Sequence, residues 1–197
     1  MAGVLRGLLV AGVAVLGMAA PAWADEVEDA AKEALDLYKK GDLGGAAGQL
    51  DYAAQLIRQQ KAAGIEKLLP AAPAGWTAEK GESQAAAAAL FGGGVTAERR
   101  YTKGDADMTL SIVTDSPMLQ GMAAMFTNPA VMASSGAKLE KVGGQKAFLQ
   151  YDAEARSGEA TMIVDNRMMV TVRGNGATRE EILGLLAALD VARLAKA

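Results

Sequence analysis

The chain has 197 residues, 51% of them hydrophobic, which is enough apolar material for a packed core without covalent staples. It contains no histidine and no cysteine, so the commonest general base, the thiol nucleophile and a disulfide framework are all excluded. The formal net charge of −3 does not provide the basic face that nucleic-acid binding requires, and we expect no nucleic-acid partner.

Residues 1–24 have the organisation of a secretory signal peptide. Arg6 supplies a basic start, residues 7–20 form an apolar run, and Ala22-Trp23-Ala24 gives the small-x-small pattern that precedes cleavage. The apolar run is shorter than a membrane-spanning helix requires. We therefore expect an exported, periplasmic protein that begins at Asp25 and keeps no transmembrane anchor after cleavage. Loss of the Arg6 charge takes the net charge from −3 to −4.

Residues 25–68 are predicted to form a helical hairpin. Acidic residues follow Asp25 and the pair Lys39-Lys40 closes the first helix, as the helix dipole favours. Gly41-Asp42 then separates it from a second helix. The spacing predicts facing apolar stripes made of Ala31, Ala34, Leu35 and Tyr38 in the first helix, and of Leu43, Ala46, Ala47, Leu50, Ala53, Ala54 and Ile57 in the second.

This helix pair resembles one tetratricopeptide unit. The resemblance rests on Ala34, Tyr38, Gly41, Ala46, Leu50 and Ala53, with Tyr38 one place out of register. Arrays of such units bind peptides or partner proteins, so the resemblance makes Tyr38 and Leu50 interaction candidates. The chain carries one copy, and a lone unit cannot form a peptide groove by itself. The favoured interpretation is therefore a structural hairpin that packs on the main domain, and a docking module is the alternative.

Residues 69–76 are predicted to be a Pro-rich linker. Pro70 and Pro73 end the second helix and impose extended geometry. Trp76 is predicted to anchor the linker on the main domain, and contact with a ligand or partner through its ring is the alternative. The alanine-rich residues 83–91 predict a short helix that ends at Gly92-Gly93-Gly94.

Residues 77–197 are predicted to form a sheet domain made of β-hairpins. Alternating polarity predicts one hairpin, and short turns at Gly143-Gly144 and Asp165-Asn166-Arg167 predict two more. The paired segments are 95–102 with 107–114, 138–142 with 145–152, and 160–164 with 168–173. A capping box of Thr178 and Glu181 then predicts a last helix. Its buried side is predicted to consist of Ile182, Leu185, Leu186 and Leu189.

The fold class that follows is α+β, an antiparallel β-sheet covered by helices and preceded by an N-terminal α-helical hairpin. From Trp76 to the C-terminus, the order of elements resembles the PsbP-like sandwich. That family consists mostly of non-catalytic accessory and assembly proteins. The resemblance therefore implies an accessory role and assigns no site residues.

Ser116-Pro117 predicts the start of a helix on which Met118, Met122 and Met125 share one face. Thioethers suit Cu(I), so this face is a candidate metal site, or a site for an apolar ligand. The simpler interpretation is that the methionines fill gaps between helix and sheet.

An enzyme is the least favoured class. Ser135-Gly136-Ala137-Lys138 matches the Ser-x-x-Lys of penicillin-binding enzymes, but the companion motifs are missing. We expect a non-enzymatic exported binding or accessory protein without a cofactor, whose partner is another envelope protein. A carrier of Cu(I) or of an apolar ligand is the alternative.

Overall fold

The computed structural model describes residues 22–84, 94–116, 119, 121 and 136–196. Its described elements are α1 (Ala22–Lys39), α2 (Leu43–Glu66), β1 (Thr77–Ala78), β2 (Glu82–Gln84), β3 (Val95–Lys103), β4 (Ala106–Thr114), β5 (Lys138–Val142), β6 (Gln145–Asp152), β7 (Ser157–Val164), β8 (Met168–Asn175), α3 (Arg179–Ala187) and α4 (Val191–Leu194). The eight strands form one antiparallel sheet, and α1 packs on α2. The predicted α+β fold class is confirmed.

The sheet is built from local hairpins joined side by side. Its strand order is β1-β3-β4-β8-β7-β6-β5, and β2 also pairs with β3. The three predicted hairpins are present as β3–β4, β5–β6 and β7–β8. Gly143 and Gly144 both have positive φ angles, of 56° and 84°, which is the turn geometry that a two-residue hairpin loop needs.

One face of the sheet carries the hydrophobic core. Ile112, Val170 and Met162 lie side by side across β4, β8 and β7, and all three are fully buried. Helix α3 covers this face with Ile182, Leu185 and Leu186. The predicted capping box is confirmed, since the hydroxyl of Thr178 accepts from the Glu181 amide and the Glu181 carboxylate accepts from the Thr178 amide.

The end of α2 belongs to the same core. Ala62, Ile65 and Leu69 are buried together with the sheet residues, and α2 contacts β2 and β3. With 24 residues α2 is about 36 Å long, so its first half extends beyond this contact. The N-terminal hairpin is thus attached to the sheet by the last turns of one helix.

The predicted helix over residues 83–91 is wrong at its start. Ser83 and Gln84 lie in β2, where they pair with Ala97 and Thr96 of β3. Backbone pairing along the outer side of β3 outweighs the weak helix preference of a serine and a glutamine. Residues 85–91 lie outside the described residues.

We expect Ile112→Ala to lower the free energy of unfolding by about 3 kcal/mol, because it opens a cavity in the fully buried row of β4, β8 and β7. Leu139 on strand β5 is 59% exposed, so Leu139→Ala should change this free energy by less than about 0.5 kcal/mol. Urea unfolding of both variants measures the two values. Equal losses would contradict the assigned core.

Candidate interaction surface

Large apolar side chains are exposed mainly on the N-terminal hairpin. Among the described residues six of the seven exposed ones lie on α1 or α2, and the exception is Leu139 on β5. Five of the six leave more than half of their surface in solvent: Leu35 (57%), Tyr38 (65%), Leu43 (64%), Leu50 (57%) and Ile57 (53%). We call these five residues, together with Ala47, the hairpin face.

The members of the hairpin face lie on one side of the hairpin. At 3.6 residues per turn, Leu43, Ala47, Leu50 and Ile57 form a single stripe along α2, about a quarter of a turn from its contact with α1. Leu35 and Tyr38 form a stripe on α1 that is rotated from its contact with α2 by a similar angle, again in the direction of increasing residue number. Because the two helices run antiparallel, equal rotations in this direction place both stripes on the same side of the hairpin.

The contact between α1 and α2 is made mainly by alanines instead of the predicted mixed stripes. Its buried residues are Ala30 and Ala34 on α1, and Ala46, Ala53 and Leu56 on α2. At the four alanines the small side chains let the two backbones approach closely, whereas leucines there would hold them apart. The prediction that Leu35, Tyr38, Leu43, Leu50 and Ile57 face the partner helix is therefore wrong. It holds for Ala34, Ala46 and Ala53, whereas Ala31 and Ala47 are exposed.

An acidic groove of about 430 Å³ runs along α1 and α2 beside their contact. Glu26, Asp29 and Glu33 line it from α1, and Tyr52 lines it from α2. The Tyr52 hydroxyl donates a 2.5 Å hydrogen bond to Glu26, and this bond raises the pKa of Tyr52. This hydrogen bond joins α1 to α2 across the groove and favours one position of α1 along the axis of α2.

A partly exposed ion cluster joins α2 to the sheet. Lys61 of α2 donates to Asp115 at 2.5 Å, and Arg167 in the β7–β8 turn donates to the other oxygen of the same carboxylate at 3.1 Å. Partial burial raises the pKa of Asp115, but the hydrogen bonds from Lys61 and Thr114 and the two positive charges outweigh it, so the pKa lies below its usual value. The charged form of Asp115 is the one that holds the hairpin in place.

A second network attaches the segment between α2 and the sheet. Trp76 is 7% exposed, and its indole N–H donates to Glu181 at 3.2 Å. Lys103 donates to the same oxygen at 2.8 Å and lies 5.8 Å from the centre of the Trp76 ring. The Lys103 hydrogen bond, followed by the backbone hydrogen bond from Thr178, lowers the pKa of Glu181 to about 2.

The polar side chains of β3 continue this attachment. Arg99 donates to the carbonyls of Leu69 and Pro70, both at 3.1 Å, and the buried Tyr101 hydroxyl donates to Pro70 at 2.8 Å. Pro70 itself is buried. The predicted linker therefore lies against the sheet along β3.

The structure brings together two of the three predicted interaction residues. Tyr38 and Leu50 both belong to the hairpin face. Trp76 does not, because it lies inside the protein with its indole bonded to Glu181.

The predicted metal ligands Met118, Met122 and Met125 lie outside the described residues, and so does Ser135 of the Ser-x-x-Lys match. Of the predicted Met-lined helix only Leu119 and Gly121 are described, and both are helical. Within the described part of the chain no three His, Cys, Asp or Glu side chains are grouped so as to hold a metal ion.

Leu35, Leu43 and Ile57 are surface residues that sequence reasoning assigned to the wrong side. The sequence does contain a signal for this exposed surface. Leu43, Leu50 and Ile57 recur every seven residues, and an alanine follows both Leu43 and Leu50 four residues later. This spacing is typical of a seam that packs on another helix.

Comparison of the chain with family models, curated proteins and solved structures gave no match. None of the described helices is long and apolar enough to cross a membrane.

We expect Glu181→Gln to lower the free energy of unfolding by about 1 kcal/mol at pH 7, since it removes the charge that Lys103 and the helix N-terminus stabilise. Glu181 has a lower pKa in the folded chain than its ordinary 4.5, so its contribution is complete above pH 4.5 and is lost as the pH falls towards about 2. The difference between wild type and variant should therefore narrow across this range.

Chemical denaturation at several pH values between 2 and 7 measures this difference. Glu180→Gln is the matched control, because Glu180 is exposed and makes only a 3.6 Å contact with Arg179. A difference in the free energy of unfolding between wild type and Glu181→Gln that stays constant down to pH 2 would contradict the lowered pKa of Glu181.

Proposed function

We propose that this chain is a non-enzymatic, exported accessory protein that acts through protein–protein contact at the hairpin face. The observation that carries the proposal is the exposure of five large apolar side chains on one side of a hairpin that is firmly attached to a folded domain. Large apolar side chains each carry on the order of 200 Å², so the five together expose roughly 600 Å². An apolar patch of this size is typical of a contact surface.

The energetic cost of this exposure supports the same conclusion. Full burial of a leucine or isoleucine is worth about 2 kcal/mol, and the hairpin face gives up more than half of this at each of its positions. The alanine contact already holds α1 on α2. The large side chains are therefore not needed to form the hairpin, and a contact with another protein would explain why they are exposed.

The charged groups of the described residues support a binding function more than a catalytic one. Asp115 and Glu181, whose pKa values are lowered, are hydrogen-bonded to cations that join separate elements. Arg99 is bonded to backbone carbonyls. These groups stabilise the attachment of the hairpin, which keeps the hairpin face in a fixed position.

The partner that fits this surface is a protein with an apolar helical side. The spacing of Leu43, Ala47, Leu50 and Ile57 favours a helix, because small and large residues alternate along it as they do in helix-packing seams. The resemblance to one tetratricopeptide unit points to the same class of partner. With the predicted signal peptide, such a partner would be a protein of the bacterial envelope.

We expect Leu50→Glu to reduce the recovery of protein partners, second copies of the chain included, at least tenfold, because it places a charge in the middle of the apolar stripe. Tagged protein captured from native envelope extracts, followed by quantitative mass spectrometry, measures the recovery. The free energy of unfolding should change by less than about 0.5 kcal/mol, since Leu50 is exposed.

Gln55→Glu is the matched control. Gln55 is exposed and lies about 140° around α2 from Leu50, so this variant adds the same charge outside the apolar stripe and should recover partners as the wild type does. Equal recovery with Leu50→Glu and wild type would overturn the proposed function.

A further inference from the structure

We propose that the hairpin face binds the hairpin face of a second copy of this chain, so that two hairpins form a four-helix bundle. In this bundle α1 of each copy packs antiparallel on α2 of the other, around a two-fold axis parallel to the helices. The inference rests on the proposed function, in that it takes the hairpin face to be a protein contact, and it names the occupant.

The hairpin itself fixes which residues lie level with one another. The short connection at residues 40–42 makes α1 and α2 antiparallel, and residues on the two helices lie level where their numbers add to about 82. The hydrogen bond from Tyr52 to Glu26 joins residues whose numbers add to 78, within one helical turn of this level. A two-fold axis parallel to the helices keeps these levels when α1 is placed on α2 of the second copy.

Side-chain size is complementary in this arrangement. Leu35 lies level with Ala47 of the second copy, and Ala31 lies level with Leu50 of the second copy. At the end of the hairpin Tyr38 lies level with Leu43 of the second copy. Large residues thus meet small ones in two of the three layers, as close helix packing requires.

Charge is complementary along the outer rim of the same contact. Lys32 lies level with Asp51 of the second copy. Asp51 and Arg58 form no ion pair within the described part of the chain. They would extend the exposed Lys32–Glu28 pair of α1, whose charged atoms lie 2.7 Å apart, across the contact.

A second pair on this rim joins Glu28 to Arg58 of the second copy. Arg58 lies one helical turn beyond the level of Glu28, a distance that the long arginine side chain can span. Both pairings have opposite charges. A second copy therefore brings opposite charges together along the rim of the hairpin face.

The dimensions also match. The roughly 600 Å² exposed by the five large side chains approaches the 800 Å² or so that each partner buries in a stable complex, and the alanines and rim residues supply the rest. The exposed stripe of α2 ends at Ile57, and Ile65 is already covered by the sheet. In the predicted exported protein α1 begins at Asp25, level with about residue 57, so α1 of the second copy ends its contact before it meets the sheet.

Site-directed cross-linking tests this geometry, because the chain has no cysteine of its own. Leu35→Cys and Ala47→Cys are placed on separate copies with different tags, co-expressed and exposed to a mild oxidant. We expect a covalent heterodimer on a non-reducing gel. The control pairs Leu35→Cys with Gln55→Cys, which lies outside the apolar stripe and about 12 Å further along α2 than Ala47, and should give no more than background cross-linking.

A charge exchange provides a second measurement that a folding defect cannot imitate. Asp51→Lys faces Lys32 of the second copy, so sedimentation equilibrium should show the dimer weakened about tenfold. Adding Lys32→Glu reverses both charges and should restore the dissociation constant to within about twofold. The single variant Lys32→Glu should weaken the dimer by a similar factor.

The outcomes separate the two proposals. Cross-linking at the level of the Gln55→Cys control, or no rescue by the double exchange, would overturn the second copy as occupant. If Leu50→Glu then still loses an envelope protein, the hairpin face binds that protein and the proposed function stands. If Leu50→Glu loses nothing either, both proposals fall.

Discussion

The structure depends on helix α2, which packs on the sheet at its end and on α1 at its beginning. The last turns of α2 place Ala62 and Ile65 in the core of the sheet, while its first turns pack on α1 through Ala46 and Ala53. Because 24 residues exceed the length of the sheet contact, half of α2 extends beyond it and carries α1 along. The ion cluster of Lys61, Asp115 and Arg167 lies where α2 leaves the sheet and fixes its direction.

This attachment explains why the hairpin can present apolar residues and still be well ordered. Its helices are held by alanines on the inside and by the sheet at one end, so the leucines on the outside contribute little to holding it. A surface that the fold does not need is free to be used for contact. The lowered pKa values of Asp115 and Glu181 serve the same architecture, since both carboxylates join elements that are far apart in sequence.

Local sequence signals predicted the sheet well. The turn at Gly143-Gly144 and the capping box at Thr178 are each formed by residues that are close together in sequence. Their formation therefore does not depend on the rest of the chain. Helix periodicity predicted α1 and α2 but assigned the wrong sides, because it ranks positions by hydrophobicity whereas close helix packing selects for small size. Leu50 was placed on the same stripe as Ala46 for that reason. The Lys61–Asp115 pair and strand β2 depend on contacts between distant residues, and no local signal reports them.

The most direct measurement is the solvent accessibility of methyl groups in the intact protein, read from the relaxation that a soluble gadolinium chelate induces. Leu139 and Ile65 serve as internal references, because one is 59% exposed and the other is fully buried. If the hairpin face is covered by another protein surface, the methyl groups of Leu43, Leu50 and Ile57 should relax nearly as slowly as those of Ile65. Relaxation as fast as that of Leu139 would contradict the account.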